Sequence, residues 1–330
     1  MQRVACVDIG TVTVRLAVAD VEGGRVQRLV KRSTICDVGE GLTATGRLSE
    51  GAKQRVRTCV ASYVEAARAA GAPVACCTMT SASRDASNSD ELVASLQALG
   101  LQPQVIPGEV EGMLTFLGVA QDYPNTPILI ADNGGGSTEL ALGILSDGAL
   151  DVRLVRSTNV GCRRVTERFL SERADGVATA EALRAAHDFA AQEYAPVMEL
   201  IRACYMVPER LVACGGTVTS LVAMDAQLVP YDSSYVHLHA LPRAVVERIE
   251  AQLAGMTVAQ RAEVPGLQPE RAPVILGGTV AISELLAQTG FDQLTVSESD
   301  LLFGLSLTAA ACAAGVESPV GWRPTLASLG

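Results

Sequence analysis

Lysine is nearly absent from this 330-residue sequence, since it occurs only at positions 31 and 53. Any site for an anion must therefore rely on arginine, backbone amides or a metal ion. The sequence has no apolar run near the ~18 residues that a membrane-spanning helix needs. An acidic residue, Asp8, follows the start too closely for a signal peptide. With a net charge of −10, these absences exclude nonspecific binding to nucleic acid or membrane and predict a cytoplasmic protein.

Metal-binding and disulfide patterns are also missing. The nine cysteines form no C-x-x-C pair, and most have apolar neighbours, as Cys76 and Cys77 do. An odd number without such spacing predicts reduced, buried thiols rather than disulfides, a metal cluster or a catalytic thiol. His237 and His239 have no neighbouring residues in the sequence that would complete a zinc site.

Two segments repeat one pattern about a domain length apart. The apolar run Val4–Val7 leads into Asp8–Thr13, and the apolar run Ile128–Ala131 leads into Asp132–Thr138. A second apolar strand follows each turn. Turns of glycine and small hydroxyl residues leave backbone N–H groups exposed for a phosphate, and a strand-end aspartate offers a hard oxygen to Mg²⁺ or water. Together with 48% hydrophobic residues, the repeat predicts two similar lobes that face one phosphate-bearing ligand.

Each lobe is predicted to place its strands first and its helices after them. A helix from Ser49 to Gly71 has apolar residues on one face. In the first lobe we expect strands near 3–19 (a pair), 26–32, 74–78 and 104–106, a polar segment at 80–88, and helices ending near Leu99 and beginning near Glu109. In the second lobe we expect strands near 126–132, 138–145 and 150–157, with helices from about 161.

The second lobe contains two further Gly-Gly-Thr turns, within Ala213–Val218 and Ile275–Val280. Both are predicted to be apolar strands that run into a helix start. Their glycines either bind phosphate or allow a helix and a strand to pack closely. Four glycine turns in one chain favour phosphate binding.

The ordered motifs resemble those of the exopolyphosphatase/guanosine pentaphosphate phosphohydrolase (Ppx/GppA) family. That family belongs to the actin-like ATPase superfamily. The resemblance extends from about residue 3 to 314. The matching segments are Asp8–Leu16, Gly39–Leu42, Thr80–Asn88, Gly108–Gly112, Asp132–Leu140 and Pro265–Ala272.

The resemblance implies an α/β fold with two ribonuclease H-like lobes, mixed sheets flanked by helices, and a cleft between the domains. We expect the first lobe at 1–124 and the second at 125–298. A helix at about 299–314 is an optional addition to the first lobe, and residues 315–330 are expected to form a loose tail.

The resemblance also implies roles for individual residues. Glu111 corresponds to the family's catalytic glutamate, which activates water, and Arg84 to its phosphate-contacting arginine. The residues predicted to bind substrate phosphate are Gly10, Thr11, Thr13, Arg84, Gly134, Gly135, Gly136, Ser137, Thr138, Gly215, Gly216 and Thr217. The candidate ligands of Mg²⁺ or another divalent cation are Asp132, Glu139 and Asp8.

Structural roles compete with these assignments. A glutamate in a first helical turn, such as Glu111, stabilises the helix by only ~0.3–1 kcal/mol. Arg84 could pair with Asp85 or Asp90, and Glu139 could cap its turn. The chain also departs from the family where Val12 replaces an asparagine and where Leu302-Phe303 replaces an Arg-Glu pair.

The predicted function is Mg²⁺-dependent release of terminal orthophosphate from inorganic polyphosphate, by water attack with a glutamate base. The alternatives are hydrolysis of guanosine pentaphosphate, and a degenerate member that binds polyphosphate or a phosphorylated guanosine nucleotide without hydrolysing it. A sugar or acetate kinase of the same superfamily would need a sugar-binding signature that is not evident. Only 4% of the residues are aromatic, which favours polyphosphate over a nucleoside. The sequence leaves open whether the chain forms a homodimer.

Overall fold

The computed structural model describes residues 1–171 and 177–330, which form two compact units. The first unit consists of Met1–Gln121 and Asp300–Gly330, and the second of Asp122–Ser299. The first unit is therefore built from both ends of the chain.

Strands and helices alternate in the order that the pattern predicts. Within the described residues, the strands are β1 (Gln2–Ile9), β2 (Thr13–Glu22), β3 (Arg25–Ile35), β4 (Val74–Met79), β5 (Pro103–Val105), β6 (Ile128–Asn133), β7 (Thr138–Ser146), β8 (Ala149–Thr158), β9 (Arg210–Cys214), β10 (His239–Pro242), β11 (Gln293–Val296) and β12 (Ala327–Ser328). The helices are α1 (Leu42–Thr45), α2 (Glu50–Ala69), α3 (Ser81–Asp85), α4 (Ser89–Gln97), α5 (Gly108–Ala120), α6 (Cys162–Val165), α7 (Ala180–Ala203), α8 (Gly216–Asp225), α9 (Ser233–Val236), α10 (Arg243–Ala254), α11 (Val258–Ala262), α12 (Ile275–Thr289) and α13 (Leu301–Ala313). A π-helical turn (Thr166–Leu170) and a 3-10 turn (Pro269–Arg271) complete the set.

The first unit has a mixed sheet in the order β12-β4-β1-β2-β3, with β5 beside β4. Strand β1 is antiparallel to β2 and parallel to β4. Helix α2 begins at Ser49, whose side chain accepts a hydrogen bond from the Ala52 amide, as expected for an N-cap. Its buried side, which includes Val56, Val60 and Tyr63, joins the core beneath the sheet.

The second unit has a mixed sheet in the order β10-β11-β9-β6-β7-β8. Strand β6 is antiparallel to β7 and parallel to β9, as β1 is to β2 and β4 in the first unit. Helices α7 and α12 supply most of the helical part of its core. The predicted fold class, with mixed sheets flanked by helices in both lobes, is confirmed. Within residues 1–171 and 177–330, no helix combines the length and hydrophobicity needed to cross a membrane.

Two local predictions are wrong. Ile275–Val280 forms no strand, because helix α12 begins at Ile275 and contains the Gly-Gly-Thr sequence. A short apolar run cannot be assigned to strand or buried helix from its pattern alone. Gly278 has no room for a Cβ beside the Thr217 hydroxyl, so these glycines serve close packing. The polar segment at 80–88 contains a short helix, α3.

The C-terminal tail is also packed, so the expectation of a loose segment at 315–330 is wrong. Strand β12 pairs with β4, with Ala327 opposite Ala75. Leu329 is buried in the core of the first unit, and its carbonyl accepts a hydrogen bond of 3.1 Å from Arg68 Nε. The start of β4 at Val74 and Ala75, which β5 does not cover, gives this short segment a partner that proline and glycine content alone does not reveal.

Candidate functional site

Asp8 lies at the end of β1, buried between residues of the neighbouring strands. Its direct cross-strand neighbours are Arg15 on β2 and Thr78 on β4. Arg15 Nη2 donates to Asp8 Oδ2 at 2.7 Å, and Thr78 Oγ1 donates to Asp8 Oδ1 at 3.1 Å. Arg15 also reaches Asp300 Oδ2 at 3.0 Å. Because a guanidinium already neutralises Asp8, this carboxylate is a poorer ligand for a cation than one without a cationic neighbour.

The turn after β1 directs its carbonyl groups into the protein. The Thr11 carbonyl accepts from the Gly39 amide at 2.8 Å, and the Val12 carbonyl accepts from the Cys36 and Asp37 amides, each at 2.9 Å. Within the described part of the chain, the amides of Thr11 and Val12 donate to no protein group. Such a backbone arrangement is suited to an anion. Val12 therefore keeps the backbone contribution of this position while lacking a polar side chain.

The Thr11 hydroxyl is a further polar group at this turn. Thr11 is 6% exposed, and its Oγ1 has no hydrogen-bond partner within the described residues. The turn is closed by Gly10, whose amide donates to the Thr13 carbonyl at 3.0 Å. A buried hydroxyl without a partner is uncommon in folded proteins and fits a group that meets a ligand oxygen.

Arg84 and Glu111 form an ion pair within the first unit. Arg84 Nη1 lies 2.8 Å from Glu111 Oε2 and donates to the Ile106 carbonyl, also at 2.8 Å. The Glu111 side chain is 11% exposed and lies in the first turn of α5. The two strongest functional predictions from the sequence thus come together. Glu109, two residues earlier in the same turn, is exposed.

Asp132 and Glu139 face each other at the glycine-rich turn of the second unit. They are direct partners on β6 and β7, and Ser157 on β8 is the next partner along the same row. Both carboxylates are buried, with residue exposures of 7% and 1%. Ser157 Oγ donates to Glu139 Oε1 at 2.7 Å. Two buried acids placed side by side repel each other unless hydrogen bonds or a cation offset their charge.

The turn between them holds its carbonyl groups toward α6. The Gly134 carbonyl accepts from Cys162, and the Gly135 carbonyl accepts from Arg163 and Arg164. The amides of residues 135, 136 and 137 donate to no protein group in the region that the structure describes. A run of such amides forms a concave site for phosphate oxygens. The backbone of the predicted phosphate-binding turn is thus arranged as that role requires.

Some predicted phosphate-binding hydroxyls are instead engaged inside the protein. Thr217 Oγ1 donates to Asn133 Oδ1 at 2.9 Å, and Asn133 Nδ2 donates to Thr138 Oγ1 at 2.9 Å. Thr138 in turn donates to the Val160 carbonyl, while Tyr194 donates to Thr138 at 3.3 Å. These hydroxyl groups are therefore already hydrogen-bonded within the second unit. Asn133 links the two turns, a role that its position after a strand-end aspartate did not reveal.

The Gly-Gly-Thr turn at the start of α8 adds further backbone donors beside Asp132. Gly215 has a φ of +103°, and a Cβ there would collide with the Asn133 carbonyl. The Arg271 guanidinium lies against Gly216, where a Cβ would displace it. Arg271 thus lies at the N-terminal end of α8, a helix of ten residues. The sequence reasoning assigned no functional role to Arg271.

A divalent cation fits the Asp132–Glu139 pair in the chemistry of its donors. Across residues 1–171 and 177–330, no three His, Cys, Asp or Glu side chains are arranged to hold a metal by themselves. Mg²⁺ is typically held by one or two carboxylates, with water and substrate phosphate completing its shell. The pair meets that requirement, whereas the Asp8 carboxylate is already bound by Arg15.

Sequence comparison identifies the family of this chain. The profile of the Ppx/GppA phosphatase family matches residues 17–308. The chain belongs to the Ppx/GppA phosphatase family. Exopolyphosphatase 2 of Mycobacterium tuberculosis is 32% identical over 326 residues, which cover 94% of this chain and 99% of that protein.

Solved structures of the family share the fold. An exopolyphosphatase-like protein superimposes with a TM-score of 0.85 at 28% identity, covering 95% of this chain and 99% of the other. The Aquifex aeolicus member of the Ppx/GppA family gives a TM-score of 0.74 at 27% identity, covering 93% and 96% of the two chains. The arrangement of strands and helices is therefore that of this phosphatase family.

Proposed function

We propose that this chain is a Mg²⁺-dependent exopolyphosphatase that releases terminal orthophosphate from inorganic polyphosphate. The observation that carries the proposal is the 2.8 Å contact between Arg84 Nη1 and Glu111 Oε2. It sets a buried carboxylate beside a cation that recognises phosphate, within a family of phosphatases.

Hydrolysis of a phosphoanhydride needs little covalent chemistry from the protein. A water molecule must be held in line with the bond that breaks, and the charge on the transferred phosphoryl group must be neutralised. In this proposal Glu111 orients the water and accepts its proton. Arg84 holds the Glu111 carboxylate through Nη1 and brings the positive charge of its guanidinium to the phosphate oxygens.

Backbone amides bind the other phosphate oxygens. The amides of Thr11 and Val12 in the first unit, and those of residues 135–137 in the second, are the donors that the fold leaves for an anion. Asp132 and Glu139 would hold the divalent cation. When bound, that cation neutralises phosphate charge and orients the phosphoryl group.

Polyphosphate is the favoured substrate for two reasons. The donors at both turns are backbone groups that recognise phosphate and not a base. In addition, the M. tuberculosis relative with 32% identity is named exopolyphosphatase 2. Guanosine pentaphosphate carries the same phosphoanhydride and is the alternative substrate.

Steady-state phosphate release tests the proposal. The purified chain is given long polyphosphate, short polyphosphate or guanosine pentaphosphate, with and without Mg²⁺. We expect release from polyphosphate that requires Mg²⁺. Glu111→Gln should lower kcat by about 10²–10⁴-fold, the usual range for a general base. Glu109→Gln, which changes an exposed acid in the same helical turn, is the matched control and should retain activity.

The same assay separates the alternatives. Equal, slow release by wild type and Glu111→Gln would contradict the assignment of Glu111 as the general base. Tight polyphosphate binding without turnover would instead support a binding protein that signals without hydrolysis. Faster release from guanosine pentaphosphate than from any polyphosphate would identify the nucleotide as the substrate of the same reaction.

A further inference from the structure

A hollow of about 200 Å³ lies on the first unit, between strands β2 and β3 and the end of helix α2. Its floor is apolar, with Leu16, Val18 and Val30, and its rim carries the guanidinium groups of three arginines. Those arginines are Arg3, Arg28 and Arg32. None of these residues belongs to the turns or to the Arg84–Glu111 pair, so the hollow is separate from the proposed phosphatase site.

The register of the sheet explains how this surface forms. Val18 lies opposite Val30, and Leu16 lies opposite Arg32. One step along the strands, Asp20 lies opposite Arg28 on one side and Arg3 on the other. Since alternate residues of a strand share a face, these side chains form one surface with an apolar centre and cationic ends.

The charge of the hollow contrasts with that of the chain. Arg3 donates to both carboxylate oxygens of Asp20, at 2.6 and 2.9 Å. Asp20 thus offsets one of the three arginines. Arg28 lies opposite the same Asp20, whose carboxylate it also attracts, so three arginines share one acid in a chain with a net charge of −10.

One apolar residue of the hollow, Val30, is half exposed although it lies between two charged neighbours. Val30 is 49% exposed and lies between Arg28 and Arg32 on the same face of β3. Charged residues on an edge strand prevent pairing with another chain, which accounts for the arginines alone. That explanation leaves the half-exposed valine, and the concave shape around it, without a role.

We propose that this hollow binds a nucleoside di- or triphosphate, with the base on the valines and the phosphates on Arg28 and Arg32. Three guanidinium groups beside a single carboxylate leave an excess of positive charge, which suits an anion that carries more than one charge. An apolar floor flanked by cationic side chains suits a flat ring that carries phosphates better than an uncharged alkyl chain. A purely inorganic phosphate chain would leave the apolar floor uncovered. The proposal goes beyond the proposed hydrolysis and does not depend on it.

Fluorescence anisotropy with a fluorescent, non-hydrolysable GTP analogue tests the proposal on the full chain. The double variant Arg28→Ala/Arg32→Ala should weaken binding by about tenfold or more, because two charge-assisted contacts are lost. The matched control Arg25→Ala/Arg57→Ala removes two exposed arginines of the same unit that do not line the hollow, and it should bind as wild type does. Both double variants change exposed side chains, so folding is preserved.

Two further measurements locate the nucleotide. Arg84→Ala, which alters the proposed phosphatase site, should leave binding of the analogue unchanged. An 8-azido-GTP photolabel should attach to a peptide from β2 or β3. Equal affinity of wild type and the Arg28/Arg32 variant would overturn the proposal, as would binding that is lost only in Arg84→Ala. Displacement of the analogue from the hollow by inorganic tripolyphosphate as effectively as by GTP would overturn the assignment of a nucleotide.

Discussion

Glu139 lies directly opposite Asp132 on the neighbouring strand, whereas the corresponding partner of Asp8 is an arginine. Each aspartate ends the first strand of its unit, and each partner lies seven residues later on the second strand. In one unit the pair is Asp8 with Arg15, and in the other it is Asp132 with Glu139. The same backbone position therefore supports an internal ion pair in the first unit and a pair of acids in the second.

We expect Mg²⁺ to stabilise the second unit through this pair of acids. Wild-type protein should melt at a higher temperature in millimolar Mg²⁺ than in chelator, because bound cation stabilises the folded state. Glu139→Gln should lose most of that increase, since one carboxylate is removed. Differential scanning calorimetry with and without Mg²⁺ measures the effect. The exposed acid Asp151 on β8 provides the control: Asp151→Asn should keep the full Mg²⁺ response.

Arg84→Lys should lower the activity although it keeps the positive charge. The Arg84 guanidinium donates to both Glu111 and the Ile106 carbonyl, and a lysine ammonium cannot reproduce that planar geometry. We predict a fall in kcat of about tenfold or more, measured by phosphate release. Arg55→Lys, at an exposed arginine that pairs with Glu40, should retain activity. Wild-type kcat in Arg84→Lys would show that charge alone is sufficient.

Arg15→Met should destabilise the first unit. The change leaves the Asp8 carboxylate, 1% exposed in its side chain, without its cation. Removal of one partner from a buried ion pair costs about 3–5 kcal/mol in the free energy of unfolding. The double variant Asp8→Asn/Arg15→Met also removes the buried negative charge, so it should recover part of the lost free energy of unfolding. Urea denaturation measures both variants, and equal instability of the two would contradict the account.

His187 should make the second unit more stable at low pH than at high pH. Its Nε2 lies 2.8 Å from Glu250 on α10, and its Nδ1 lies 3.3 Å from Glu284 on α12. Hydrogen bonds and charge from Glu250, then from Glu284, raise the pKa of His187 above its ordinary value of 6.5, although burial opposes this. The stabilisation is therefore complete below pH 6.5 and is lost as the pH rises through the raised pKa.

Denaturation of wild type and His187→Gln across a pH series measures this effect. The difference in free energy of unfolding between them should be largest below pH 6.5 and should shrink as the pH rises. A difference that stays constant with pH would assign His187 a packing role only.

Local pattern was enough to predict most of the strands and the turns after β1 and β6. The spacing of Asp132 and Glu139 across a short hairpin turn determines that they face each other, because strand register follows from turn length. The same reasoning applied to Asp8 and Arg15 would have predicted their ion pair, since the spacing is equal.

Contacts between distant segments could not be read from the sequence in this way. Arg84 on α3 pairs with Glu111 on α5, a contact between helices 27 residues apart in the sequence. Asn133 meets Thr217 only because β6 and β9 are adjacent strands. The apolar run at Ile275 folded as a helix because its glycines allow close helix packing, a tertiary effect that local periodicity does not contain.

The split composition of the first unit has a consequence for synthesis on the ribosome. Residues 122–299 form the second unit without interruption, whereas the first unit also needs α13 and β12 from residues 300–330. Gly304 of α13 approaches the Leu114 carbonyl so closely that no Cβ fits between them. The first unit can therefore complete its core only after residues 300–330 have been synthesised. All residues of the second unit leave the ribosome before the last ones of the first.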